Sequence, residues 1–224
     1  MTRCLHTWSR SDPRWIGVVF AAVLLAGLLS MLSCSDAKRP DVRAERDDVF
    51  EQLSFEVDTS LLGDTVRLEG IEFRVPRGWK RVEPMILRAI RQAAGRDTSR
   101  HRLFPEAAHA HSNGSVFVAS RFPNANRADV SFSSWAITVG EAYRVARAGM
   151  ELKEAWLSLG GIEALQLYSG DQKTVHFKLL LNAGVPLSLD YTVPTSAWEG
   201  EVHGVESSLG SIRRLPATDE EVRE

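Results

Sequence analysis

Apolar and polar positions divide the chain into three textures. Residues 15–33 run without a charge, long enough to cross a bilayer or to form the apolar core of an export signal. Residues 35–48, SDAKRPDVRAERDD, are polar and charged around a lone Val42 and Pro40. Such a stretch buries too little apolar area to offset its ordering entropy, so a flexible tether is expected. From residue 49 onward, apolar positions return with the periods of strands and helices.

The first of these, VFEQLSFEV, fits a helix turn through Phe50 and Leu53 and a strand through Leu53, Phe55 and Val57 equally well. In TVRLEGIEFRVPRGW, Val66 and Leu68 alternate with charge, then Ile71, Phe73 and Val75 do so one residue out of phase. A one-residue slip flips the buried face, so Gly70 marks a bulge or tight turn. Pro76 and Gly78 suit positions i+1 and i+3 of a type I turn from Val75. A helix is predicted from Pro84, with Ile86, Leu87, Ile90 and Ala94 on one face. SVFVASRF and ADVSFSS read as strands around an Asn-rich turn, PNANR. A second helix is predicted from a capping box at Thr138 and Glu141, with Ala142, Val145, Ala146 and Met150 at helical spacing.

Residues 154–194 are patterned as a four-stranded meander: AWLSL, IEALQLY, TVHFKLLL and VPLSLDYTV, separated by GG, SGDQ and NAG. Pairing Leu179 with Leu189 places Phe177 opposite Tyr191 and Lys178 opposite Asp190, matching apolar and charged partners at once. His176 and Lys178 then fall on the polar face and are expected in solvent. A closing helix from Thr195 or Ser196, with Glu199 completing a capping box, carries Trp198, Val202, Val205, Leu209 and Ile212 as one stripe. Gly200, Gly204 and Gly210 each cost about 1 kcal/mol relative to alanine there, so docking at close range must hold the helix.

The expected fold is therefore α+β, one domain over residues 49–216, an antiparallel β-sheet covered by helices, with a disordered tail at 217–224. The strand ending FRVPRGW, the hairpin, the meander and the final YTVPTSAWEGEVHGVESSLGSIRRL resemble the PsbP-like superfamily over roughly residues 66–215. That resemblance implies an αβα sandwich and a non-catalytic accessory or binding role.

Arg3, Arg10 and Arg14 precede the uncharged run, and Leu32-Ser33-Cys34 closes it. This layout resembles the lipobox of bacterial lipoproteins, which implies a signal peptide at 1–33, a lipidated Cys34 and a tether at 34–48. A retained anchor helix and a plainly secreted form are the alternatives. Lipidation would leave the mature chain without a thiol, since Cys4 departs with the signal. Ser35 after the cysteine implies, by the same resemblance, sorting to the outer membrane facing the periplasm. The 14 residues after Cys34, 35–48, would reach roughly 20 Å. Loss of residues 1–33 removes three of the 27 basic and one of the 29 acidic side chains, for a net charge of about −4. Mixed signs at that balance give no support to nucleic-acid binding.

Candidate chemistry is sparse. There is no nucleophile elbow, phosphate loop or dinucleotide fingerprint. No enzyme and no cofactor are expected, although a hydrolase site assembled in space is an alternative. In EAAHAHSN, read as a polar loop, His109 and His111 would project together, with Glu106 nearby, as zinc or copper ligands. Trp135, between a predicted strand and helix, is the aromatic expected to be exposed and to contact a partner. The partners expected are the membrane, through the lipid, and an envelope protein.

Overall fold

The computed structural model describes residues 51–52, 55–96, 102–122 and 131–216, all within the compact unit Asp36–Glu224. The signal, Cys34, the tether, PNANR and the tail lie outside the described residues. In order, the elements are β1 (Glu51–Gln52), a 3-10 turn, β2 (Leu62–Leu68), β3 (Ile71–Pro76), β4 (Lys80–Arg81), α1 (Pro84–Gly95), β5 (Phe104–Ala110) and β6 (Val116–Arg121). Then come α2 (Phe132–Ala146), β7 (Glu151–Leu159), β8 (Ile162–Gly170), β9 (Thr174–Asn182), β10 (Pro186–Pro194), α3 (Thr195–Gly210) and β11 (Arg213–Arg214).

The eight-stranded sheet has the order β1-β7-β8-β9-β10-β6-β5-β4, and a small sheet has the order β11-β3-β2. All strand pairs are antiparallel except β1 with β7. The meander stands as read, and Leu179 pairs with Leu189, Phe177 with Tyr191 and Lys178 with Asp190. One face of the large sheet packs on α2 through Trp135, Ala136, Val139, Tyr143, Leu165, Leu167 and Leu180. The other face packs on the β2–β3 hairpin and α3, burying Phe73, Phe117, Leu179, Leu189, Tyr191 and Val205. The fold is thus α+β, with helices covering an antiparallel sheet. On the second face, the helix shares the covering layer with a small sheet.

Gly70, at φ 79°, closes a two-residue hairpin between Leu68 and Ile71, which explains the phase slip. A Cβ there would lie 2.0 Å from the Ala183 carbonyl oxygen, so glycine is required twice over. The turn after β3 begins one residue later than predicted: Trp79 N donates to Pro76 O, and Gly78, at φ 85°, holds the third position. Helix α1 buries Leu87, Ile90 and Ala94 but leaves Ile86 exposed.

Four other readings are corrected. The described part of ADVSFSS is helical: Ser131 Oγ accepts from Ser134 N, and Trp135 and Ala136 are buried within the next turn. Burial of that face outweighs the local strand propensity. Thr138 therefore lies inside α2, where its hydroxyl donates to Ser134 O rather than capping. The buried face runs through Val139, Gly140 and Tyr143, and Val145 is 61 % exposed. EAAHAHSN is no loop, since Phe104–Ala110 forms β5 between β4 and β6. The Ser196 capping box does not form. Thr195 opens α3 while tied to the β8–β9 turn, through N to Lys173 O and Oγ1 to Asp171 O.

Lys178 is buried and His176 nearly so, because α2 closes over the face expected in solvent. Close docking of α3 holds at Gly204, where a Cβ would meet Pro76 at 3.3 Å, and at Gly210 against Phe55 and Val57. Gly200 faces open space.

Candidate functional site

A two-residue hairpin fixes which main-chain groups face outward. The residues flanking the turn, Leu68 and Ile71, exchange hydrogen bonds, and pairs then alternate. Val66 with Phe73 is the next bonded pair, whereas Arg67 with Glu72 and Thr65 with Arg74 turn their N–H and C=O groups away from each other. Arg74 verifies this phase: its N donates to Ser211 Oγ at 2.9 Å, and its O accepts from Ser208 Oγ at 2.6 Å. So α3 and β11 occupy the outer side of β3. The outer groups of Thr65 and Arg67 on β2 have no partner among the described residues.

That open edge forms one wall of a cleft of about 920 Å³, at the upper end of ligand-pocket sizes of roughly 300–1,000 Å³. The opposite wall is β4, β5 and the end of β6, carrying Arg81, Glu106, His109 and Arg121, and Val66, Ala107 and Leu187 supply apolar surface. The β5 edge here is closed. Val82 N donates to Ala108 O, and the Arg91 guanidinium donates to Pro105 O and Glu106 O.

Half of the charged side chains lining the cleft are already paired. Glu106 takes Arg121 Nε at 2.5 Å and Arg91 Nη2 at 3.5 Å, and both guanidiniums lie over the Phe104 ring. Glu72 is bridged by Arg213 and Arg67, which hold its carboxyl below the usual carboxylate range. Arg81 on one wall, and Asp64 and Glu69 on the other, make no ion pair among the described residues. His109 is 3 % exposed and packs near Phe117, and its Nδ1 makes no hydrogen bond. Burial pushes this imidazole down, reinforced by Arg81 and opposed by Asp64, so it is neutral near pH 7.

The three predicted metal ligands are not brought together. His109 lies in the cleft and Glu106 is held by its arginines. His111, beyond the end of β5, places Nδ1 3.2 Å from Glu201 Oε1. Glu201 accepts from Trp79 Nε1 at 2.8 Å and Asn113 Nδ2 at 2.6 Å, and these bonds fasten α3 to the β5–β6 turn. Among the described residues, no three His, Cys, Asp or Glu side chains are placed to hold a metal. Trp135 is 6 % exposed, edge-on to Phe122 at 4.7 Å, so the exposure expected of it is absent. It belongs to the core under α2. Thr65, Arg67, Arg81 and Arg121 were not singled out from the sequence. For Thr65 and Arg67 the signal was the Gly70 phase slip, from which the outward groups of β2 can be counted; Arg81 and Arg121, on other strands, carried none.

No protein-family model matches the chain, and no curated protein does. Among solved structures, the chain is similar to the solution structure of cyanobacterial PsbP (CyanoP) from Synechocystis sp., with TM-score 0.43 and 16% identity, covering 82% of this chain and 98% of that one. It is also similar to LpqN of Mycobacterium tuberculosis, described as involved in cell envelope biogenesis, with TM-score 0.38 and 12% identity, covering 68% and 90% respectively.

Proposed function

We propose that this chain is a lipid-anchored, non-catalytic envelope protein, placed at the periplasmic side of an outer membrane, that binds a partner in the cleft between β2 and β5. The observation that carries the binding reading is the cleft itself: a strand edge, a buried imidazole and an arginine that have no partner among the described residues. The anchor reading rests on the basic start, the uncharged run and Cys34. The cleft also holds a histidine with carboxylates, the minimum of an assembled hydrolase site. A general base, however, needs an orienting hydrogen bond. His109 Nδ1 bonds to no carboxylate, which favours binding.

Two measurements test this in the full chain expressed in its membrane. The intact mass in mild detergent is expected to start at Cys34 with acyl chains added; a mass starting at Met1 without lipid would remove the anchor. A photo-crosslinking side chain at Glu69, on the cleft rim, is expected to capture an envelope component that the same group at Lys173, in the remote β8–β9 turn, does not. Identical adducts from both positions, or none from Glu69, would defeat the cleft as the binding site.

A further inference from the structure

The β5–β6 turn, outside the residues that line the cleft, carries a reactive pair. Of the four asparagines in the chain, Asn113 alone is followed by glycine. With no Cβ, Gly114 leaves its nitrogen unshielded and its torsions free, so that nitrogen reaches the preceding carboxamide more easily than at the other three asparagines. Ser112, Asn113 and Gly114 are all exposed, which gives water and hydroxide access. We propose that Asn113 is a deamidation site, that its bond to Glu201 of α3 restrains the reaction, and that the product carboxylate releases the turn from α3.

The chemistry needs only water and base. Hydroxide takes the Gly114 amide proton as the nitrogen attacks Asn113 Cγ; the new C–N bond closes a succinimide, and Nδ2 leaves as ammonia with a proton from water. A second water opens the ring at Cγ to give aspartate, or at the main-chain carbonyl to give isoaspartate. Three bonds oppose ring closure. Gly114 N donates to His111 O at 3.0 Å, Ser115 N donates to Asn113 Oδ1 at 2.9 Å, and the leaving group Nδ2 donates to Glu201 Oε1 at 2.6 Å. Two of these lie within the turn, and the third reaches across to α3. The reaction proceeds from the opened turn, so its rate follows the population in which these bonds are broken.

After conversion the Nδ2 donor is gone, and a carboxylate at position 113 faces the Glu201 carboxylate, an arrangement that disfavours two charges. The fastening cannot re-form with either product. Glu201 keeps its bond from Trp79 Nε1, and α3 stays tied through Thr195 Oγ1 to Asp171 O and Ser208 Oγ to Arg74 O. Release is therefore confined to the β5–β6 turn. This site is separate from the cleft and from the anchor, and does not rest on either reading.

The test uses the full chain in mild detergent at mildly alkaline pH, with peptide mass spectrometry following aspartate and isoaspartate at each asparagine. Position 113 is expected to convert first, and more slowly in the folded chain than in the same chain held unfolded in urea. Glu201→Ala removes the acceptor on α3 and should speed conversion of the folded chain about tenfold, the low end for a bond to a charged acceptor. Should that variant fail to fold, because Trp79 Nε1 loses its acceptor as well, Glu201→Gln keeps an oxygen for Trp79 and serves in its place. Asn113→Asp is expected to speed amide exchange at His111 and Gly114 while Leu179 and Leu189 stay as protected as before.

Conversion elsewhere ahead of position 113, or equal rates in the folded and unfolded chain, would overturn the site and its restraint by the fold. Equal rates in the wild-type chain and a folded Glu201 variant would remove Glu201 as the restraint. Unchanged exchange at His111 and Gly114 in Asn113→Asp would remove the release of the turn.

Discussion

On the face of the large sheet turned toward the hairpin and α3, strands β9 and β10 present Phe177, Leu179, Leu181, Leu187, Leu189 and Tyr191, all buried. On the face under α2, the same two strands present His176, Lys178, Ser188, Asp190 and Thr192 beside Leu180. The first face needs only shape and area. The second must also satisfy each polar group that α2 takes from water. It does so by a connected row. Lys178 pairs with Asp190 and donates to Ser188, whose hydroxyl donates on to Asp190 at 2.6 Å. Tyr143 OH meets Ser169, and His176 lies between Thr174, Thr192 and Arg147. Two faces of one pair of strands are thus held by different physics.

The contrast is broken most strongly on the apolar face. Leu179→Ala, at a fully buried site, is expected to cost about 4 kcal/mol by denaturant unfolding, transfer and cavity terms together. A cost below about 1 kcal/mol would mean that this face is not the main core. On the polar face, Asp190→Ala leaves the Lys178 ammonium buried without its counter-charge and is expected to cost about 3 kcal/mol. That lies at the low end for a broken buried pair, because Asp190 keeps part of its carboxylate in water. The double change Lys178→Met with Asp190→Leu should recover most of this loss. If it does not, the row supplies stability and not only order.

Acid sharpens the comparison, because only one face titrates. Burial under α2, with the Arg147 guanidinium adjacent, pushes His176 down to about 4 from the ordinary 6.5. The unfolded chain therefore binds this proton more readily than the folded one. The contribution of neutral His176 is complete above about pH 6.5 and is lost as pH falls toward 4, by about 3 kcal/mol. His176→Gln should flatten that part of the stability profile, and an unchanged slope would remove His176 as its source. The smallest expected effect is Tyr143→Phe, which frees Ser169 Oγ at a cost of about 1 kcal/mol.

The legibility of the sequence follows the same division. The meander and its register could be read because matching Phe177 with Tyr191 and Lys178 with Asp190 is a local test that one alignment passes. The hairpin slip at Gly70 was readable because a two-residue turn shifts the apolar phase, whatever lies around it. What failed were judgements of exposure. His109, Lys178 and Trp135 look like surface residues in a one-dimensional pattern, and each is buried by an element distant in sequence. The helix starting at Ser131 was missed because its first turn, FSSW, has strand-like composition and gains its stability from Phe122 and the β8–β9 surface.

The candidate site divides in the same way. His109 and Glu106 were in view as titratable residues, but as metal ligands with His111, whereas Glu106 is held by Arg91 and Arg121 and His111 lies beside Glu201. The cleft itself has no sequence signature, because its walls, β2 and β5, belong to different sheets and approach only when α3 and the core draw the hairpin over the large sheet.

By itself, then, the sequence determined the α+β class, the strand order within the meander, the hairpin at Gly70 and the stripe of α3, since periodicity and turn chemistry act over a few residues. Tertiary structure alone decided which polar face became interior, which histidine lost its water and which strand edge was left open, because burial and pairing depend on what the rest of the chain brings alongside.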